Sequence, residues 1–159
     1  REQAPHYQHE KIGYNYRMSN ICAGIGCGQM TVLEKHIAHH RHVHALYEQA
    51  FADIEGITLK SNPAKEFDAN YWLCTILIDP VATGFDYEEL RVALDAKGIE
   101  TRPLWKPMHL QPVFKNNPCY IDGTSEKLFN KGLCIPAGPC VTDEDVTYIV
   151  TEIKNCMKK

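Results

Sequence analysis

The sequence predicts an α+β domain in which a long helix leads into a small sheet covered by further helices. Three observations carry this. Apolar residues recur with helical spacing over residues 21–51, one strongly strand-like run occupies residues 71–78, and short helices and strands alternate after it without a repeating unit.

The long helix is read from Ile25, Met30, Leu33, Ile37, Val43, Leu46 and Tyr47, with Ser19 or Asn20 as its N-cap. Its first turns are crowded with Ala23, Gly24, Gly26 and Gly28. An interior glycine costs a helix about 1 kcal/mol, so close packing against another backbone is the expected reason, and this end is expected to be tightly buried. After Gly56, Ile57, Thr58 and Leu59 form a short strand, followed by a turn at Ser61, Asn62 and Pro63.

Residues 71–78 are almost continuously apolar, β-branched or aromatic and close on Asp79-Pro80, which predicts a strand central in its sheet. Asp86 caps a helix with Leu90, Val92, Ala93 and Leu94 on its apolar side, ended by Gly98. A short strand is expected over residues 99–103 and a loop rich in prolines and aromatics over residues 104–120. Residues 125–132 read as a short helix and residues 133–136 as a short strand. Thr142 caps a final helix reaching about Met157, with Glu144 and Asp145 in its first turn.

With 159 residues, 44% of them hydrophobic and 23% charged, the chain is long enough for one compact domain with its own core. A formal charge of −3 and a pI near 6.2, with no basic stripe, argue against nucleic acid as the partner and favour a small molecule. No apolar run is long enough to cross a bilayer and no leader pattern precedes the fold, so the expected location is cytoplasmic, with no membrane partner. The seven cysteines form no C-x-x-C pair and read as small buried hydrophobes of a reducing compartment. The chain opens on Arg1 and a polar segment over residues 1–11, which suggests the C-terminal piece of something longer.

Two segments offer chemistry. Gly13-Tyr14-Asn15-Tyr16-Arg17-Met18-Ser19-Asn20 places an amide, a guanidinium and two phenols where the chain enters a helix, good ground for a phosphate; the plainer reading is a helix start alone. Thr101-Arg102-Pro103-Leu104-Trp105-Lys106-Pro107-Met108-His109-Leu110-Gln111-Pro112 interleaves two cations and a histidine with an indole and three prolines. Prolines freeze the backbone, so polar tips are presented at little ordering cost. Arg102 and Lys106 suit phosphate oxygens, Trp105 offers a flat face, and His109 suits a phosphate contact or acid-base work. The same string also reads as a structural loop with Trp105 in the core and its cations solvated.

His36, His39, His40, His42 and His44 include pairs one helical turn apart, the spacing at which imidazoles share a metal. No third ligand stands at a telling distance, so a solvated helix face is the expected role and no metal is assigned. Asp143 and Glu144 are explained by the helix dipole. Gly24, Gly26 and Gly28 have the wrong continuation for a nucleotide-binding loop, and no complete catalytic set emerges.

Residues 13–20, the helix start ending in Gly28-Gln29-Met30, the string from Arg102 to Gln111, and Lys131-Gly132-Leu133-Cys134-Ile135-Pro136 together resemble the DegT/DnrJ/EryC1/StrS sugar aminotransferases in their C-terminal portion, in register from about Gly13 to Ile153. The likeness is greatest to the branch that aminates C4 of UDP-4-keto-6-deoxy-N-acetylhexosamines on the bacillosamine-type route. The resemblance implies the small domain of a fold type I enzyme dependent on pyridoxal 5′-phosphate, working as a homodimer on a nucleotide-sugar, with UDP as the expected nucleotide and glutamate as the expected amino donor. Residues 1–159 then form the C-terminal domain with its connecting helix. The lysine that bonds the cofactor belongs to an N-terminal domain, and the fragment alone is expected to be inactive. Lys106 matches the family's substrate loop and not the setting of that lysine.

By the same resemblance Asn15 matches an asparagine that reaches across the dimer to the cofactor phosphate, and Arg17 an arginine near the sugar nucleotide's phosphates. His109 matches a histidine beside the nucleotide-sugar, with Trp105, Lys106 and Arg102 assigned to substrate binding and no catalytic residue in the chain. Cys22, Gly24 and Cys27 stand where the family more often has Ala or Leu, a difference of packing. The alternative is a non-catalytic binding module, or a partner subunit supplying Asn15 and Arg17 in trans.

Overall fold

In the computed structural model residues 4–157 are described; residues 1–3 and 158–159, the former at the start of the polar opening segment, lie outside them. The predicted α+β class is what the chain adopts: the described residues form six α-helices and a four-stranded antiparallel sheet.

The long helical run forms as two helices, α1 (Asn20–Met30) and α2 (Leu33–Phe51). Ser19 is the N-cap of α1, its hydroxyl accepting from the Cys22 N–H at 3.2 Å. The break follows from Thr31. Its hydroxyl donates to the Gly28 carbonyl at 2.8 Å, while the amides of Thr31 and Val32 reach back only three residues, to Gly28 and Gln29. A side chain competing for the backbone and a last turn tightened to i→i+3 bonds end the helix there.

β1 (Ile57–Leu59) leads through a loop to β2 (Cys74–Ile78). The predicted strand start at Tyr71 is corrected by three residues: Tyr71 has φ +50, which leaves the extended region, and its ring stacks on His44 at 3.7 Å between centroids. The Asp79-Pro80 pair read as a strand end opens α3 (Pro80–Thr83), with the Asp79 carboxylate accepting from the Val81 N–H. α4 (Tyr87–Asp95) begins with the expected Asp86 cap, completed as a capping box by Glu89.

The short strand expected over residues 99–103 shrinks to β3 (Arg102–Pro103), whose two residues pair with Cys134 and Leu133, while residues 99–101 pair with no strand among the described residues. α5 (Thr124–Phe129), β4 (Gly132–Ile135) and α6 (Asp143–Cys156) complete the chain, with Thr142 and Asp145 forming the capping box of α6.

The sheet order is β1-β2-β4-β3, so β2 lies inside the sheet as its composition predicts. Cys74, Ile76 and Ile78 point into the core, where Val43, Tyr47 and Phe51 of α2, Leu90 and Leu94 of α4 and Ile149 and Ile153 of α6 meet them. Fully burying each such Leu or Ile contributes about 1.5–3 kcal/mol before chain entropy is set against it. Burial pushes the thiol of Cys74 up to about 12 and that of Cys134 up to about 11, and Cys134 adds to the shift of Cys74.

Two expectations about burial are corrected. No residue of α1 is buried: Ile21 is 77% exposed, Ile25 61% and Met30 67%, and apart from the adjoining residues and backbone of α1 itself no atom lies within 4 Å of where a Cβ on Gly24, Gly26 or Gly28 would stand. The small residues of α1 therefore find no packing partner within the described residues. Cys22, Cys27, Cys119 and Cys140 are exposed, since they fall on α1 and on surface loops, and only Cys74 and Cys134 are buried.

Candidate functional site

Residues 13–19 cross the surface without regular secondary structure, and every one of them is exposed. At their centre Tyr16 has φ +60, and the Arg17 amide closes a three-residue turn onto the Asn15 carbonyl at 2.8 Å. A non-glycine residue in this region is strained, and the strain falls between the two candidate phosphate-binding residues. Among the described residues the side chains of Asn15 and Arg17 have no hydrogen-bond or ion-pair partner. An amide and a guanidinium so presented have their donors available for an anion.

The string from Arg102 to Gln111 is held rigid by a 3₁₀ turn at Met108–Leu110, entered from the buried Pro107. Its anchor is Gln111, 3% exposed. The Gln111 Nε2 donates to the carbonyls of Tyr7 at 2.9 Å and Lys106 at 3.3 Å, and its Oε1 accepts from the His9 amide at 2.9 Å. The Val113 amide donates in turn to the His9 carbonyl, and Lys106 Nζ donates to Gln8 Oε1 at 2.9 Å. Trp105 stacks on Tyr7, with 6.2 Å between centroids and 10° between planes, and tilts against Trp72. Residues 6–9 are thus strapped to the loop along its length.

His109 stands on the 3₁₀ turn with its side chain 14% exposed, its Nε2 2.8 Å from Glu126 Oε1 of α5. It lines a cavity of about 340 Å³ together with Phe114, Asn117, Cys119 and Ile121. Arg102 is placed elsewhere: its guanidinium pairs with Glu100, and it borders a separate, largely apolar groove of about 540 Å³ lined also by Trp72 and Tyr148. The structure therefore joins Trp105, Lys106 and His109 on one braced loop and sets Arg102 apart. Trp105, at 51% exposed, is not a core residue, so the loop has an open aromatic face.

The histidines of α2 depart from the solvated face expected of them. His44 is buried and within 3.1 Å of the Lys60 carbonyl, His42 pairs with Asp143, and the Nε2 atoms of His39 and His40 are buried without partners. Among the described residues no group of three or more His, Cys, Asp or Glu is placed to hold a metal, and no helix is long and apolar enough to cross a membrane.

Residues 1–154 match the DegT/DnrJ/EryC1/StrS aminotransferase family. The chain belongs to that family. EpsN of Bacillus subtilis, assigned as a pyridoxal phosphate-dependent aminotransferase, is 36% identical over 154 residues, covering 94% of this chain and 39% of EpsN. GDP-perosamine synthase of Escherichia coli O157:H7 is 34% identical over 147 residues, covering 92% of this chain and 38% of that enzyme. The chain thus spans about two fifths of the length of the curated relatives it matches.

Among solved structures, DesI in the presence of its TDP-sugar product superposes with a TM-score of 0.76 at 23% identity, over 87% of this chain and 36% of DesI. A DegT/DnrJ/EryC1/StrS aminotransferase from Brucella abortus gives 0.76 at 23%, over 96% and 39%. At these identities the likeness is one of fold.

The sequence pointed to Asn15, Arg17, Arg102, Trp105, Lys106 and His109 but not to the groups that brace Trp105, Lys106 and His109. Gln111 lay inside the quoted string without a role. Tyr7, Gln8 and Glu126 carried no local signal, since each becomes meaningful only when a residue 17 or more positions away is brought to it.

Proposed function

We propose that these residues are the C-terminal part of a pyridoxal 5′-phosphate-dependent aminotransferase that converts a nucleotide-linked 4-keto-6-deoxy sugar to its 4-amino sugar. UDP is proposed as the nucleotide and glutamate as the amino donor. Family membership over residues 1–154 carries the reading, and the braced loop with His109, Lys106 and Trp105 supports it locally.

The residues present fit one end of the cofactor. The unengaged donors of Asn15 and Arg17, splayed by the strained turn at Tyr16, suit a phosphate contributed from a neighbouring subunit, Asn15 toward the cofactor and Arg17 toward the nucleotide-sugar. Pyridoxal phosphate, when bound, supplies the electron sink through which an amino group passes from a donor to a keto carbon. This chain's residues bind and orient: Trp105 offers a planar face, Lys106 a cation beside it, and His109 a polar contact for the sugar nucleotide. Lys106 already donates to Gln8 of the opening segment, as suits a positioning role. In this reading the lysine that bonds the cofactor lies in an N-terminal domain, the active enzyme is a homodimer, and these residues alone are inactive.

The test is absorbance of the full-length protein with pyridoxal phosphate, titrated with 4-keto sugars linked to UDP, GDP or TDP. Glutamate, added first, is expected to shift the spectrum as the cofactor takes up its amino group, and the UDP-linked 4-keto sugar to reverse that shift by accepting the group. Asn15→Ala in that protein is expected to weaken cofactor retention. No spectral response to any of the sugars would leave the chain a binding module.

A further inference from the structure

We propose that Glu126 is the positioning residue for His109: its carboxylate accepts the proton on Nε2 and so makes Nδ1 the ring nitrogen that meets a nucleotide-linked sugar. This rests on the reading of His109 as a substrate contact and goes beyond it by assigning the atom and the residue that selects it.

The geometry is specific. The pair is 2.8 Å apart, with the His109 side chain 14% and the Glu126 side chain 39% exposed, so the bond is partly shielded from solvent. His109 cannot swing away easily. The Leu110 amide donates to Pro107 and the Gln111 amide to Met108, closing the turn on either side of it, and buried Gln111 ties that turn to residues 7–9. Glu126 is held in α5, where the Lys127 amide bonds to Gly123 and the Asn130 amide to Glu126's own carbonyl. Two rigid supports thus meet in one hydrogen bond. The partner of one imidazole nitrogen dictates what the other offers, and a carboxylate can only accept from a neutral ring, so Nε2 carries the proton and Nδ1 presents its lone pair.

Nδ1 has no hydrogen-bond partner among the described residues, and His109 borders the 340 Å³ cavity beside Phe114, Asn117 and Cys119. A neutral Nδ1 accepts from a sugar hydroxyl. With a proton added, the ring donates from the same atom to a phosphate oxygen while Glu126 balances its charge. In both states one atom faces the ligand, which is what a recognition site requires.

Two measurements test this. In the 159-residue chain at pH 8, imidazole ¹⁵N shifts, assigned through His109→Gln, are expected to show His109 protonated on Nε2, and Glu126→Leu is expected to bring it to a mixture of tautomers. An unchanged ¹⁵N pattern in Glu126→Leu overturns the proposal. In the full-length enzyme, the KM for the nucleotide-sugar is expected to rise about tenfold in Glu126→Leu, as for loss of one charge-assisted hydrogen bond, with kcat little changed and Glu126→Asp partly restoring it.

A residue that merely tied α5 to the loop would shift the melting temperature without this split, and that outcome overturns the positioning role. If His109→Gln raises KM and Glu126→Leu does not, only the role of Glu126 fails. If His109→Gln leaves KM unchanged, the assignment of His109 to substrate fails, and the positioning role falls with it.

Discussion

The Gln111 side chain donates to the Tyr7 carbonyl at 2.9 Å, joining residues 104 positions apart in the sequence. The same amide reaches the Lys106 carbonyl and accepts from the His9 amide, so one buried glutamine holds the opening segment against the loop that carries His109.

Removing that amide leaves backbone groups of Tyr7, Lys106 and His9 without their partner. Gln111→Leu is expected to destabilise the chain by about 2–4 kcal/mol, summing neutral hydrogen bonds of about 1 kcal/mol each with the cost of buried groups left unpaired. Urea unfolding measures the loss. Trp105 emission should respond below the global transition, because release of residues 6–9 takes Tyr7 off the indole. Coincident transitions with unchanged stability would mean that the strap is not load-sharing.

Burial, with His39 and then His36 nearby, holds the imidazole of His40 below its ordinary 6.5. A histidine whose folded value is depressed binds fewer protons folded than unfolded, so its neutral form supports folding above pH 6.5 and that support is lost as pH falls from 6.5 through the folded value. The urea midpoint of the wild type is expected to fall over that window more steeply than that of His40→Gln. Comparing the two cancels titrations common to both. Parallel pH profiles would contradict the assignment.

Gly132 opens β4 where the Leu104 side chain and the Leu128 carbonyl crowd the space a Cβ would need. Gly132→Ala is expected to cost about 1–3 kcal/mol as overpacking, and Leu104→Ala in the same chain to recover part of it. Thermal unfolding of the three variants checks this, and additive losses in the double variant would disprove the contact.

α1 presents Ile21, Ile25 and Met30 to solvent with nothing against them among the described residues. The 159-residue chain is expected to bind a hydrophobic dye or to self-associate, and Ile25→Lys to reduce both. Sedimentation and dye fluorescence would decide it. A monodisperse, dye-silent wild-type chain would count against an interface on this helix.

The sequence was informative wherever a signal is local. Helical spacing located α2, α4 and α6, and the Asp86 and Thr142 caps marked starts that the structure reproduces, because a cap bonds only two or three residues along the chain. The composition of β2 foretold its interior place, since a strand buried between neighbours is apolar nearly throughout. The string from Arg102 to Gln111 and the segment with Asn15 and Arg17 pointed to the family that the match over residues 1–154 establishes.

What the sequence could not decide was whatever depends on distant partners. Periodicity cannot tell a helix with a neighbour from one without, so the exposure of α1 emerged only in three dimensions. The break at Thr31 was decided by one hydroxyl competing for the Gly28 carbonyl. His44 and Gln111 look like ordinary surface residues until the Lys60 carbonyl and the Tyr7 carbonyl are brought to them. The sequence by itself determined the fold class and the family. The tertiary structure alone decided which candidate residues stand together, bringing Glu126 to His109 and setting Arg102 apart, because a hydrogen bond acts over about 3 Å of space whatever the distance along the chain.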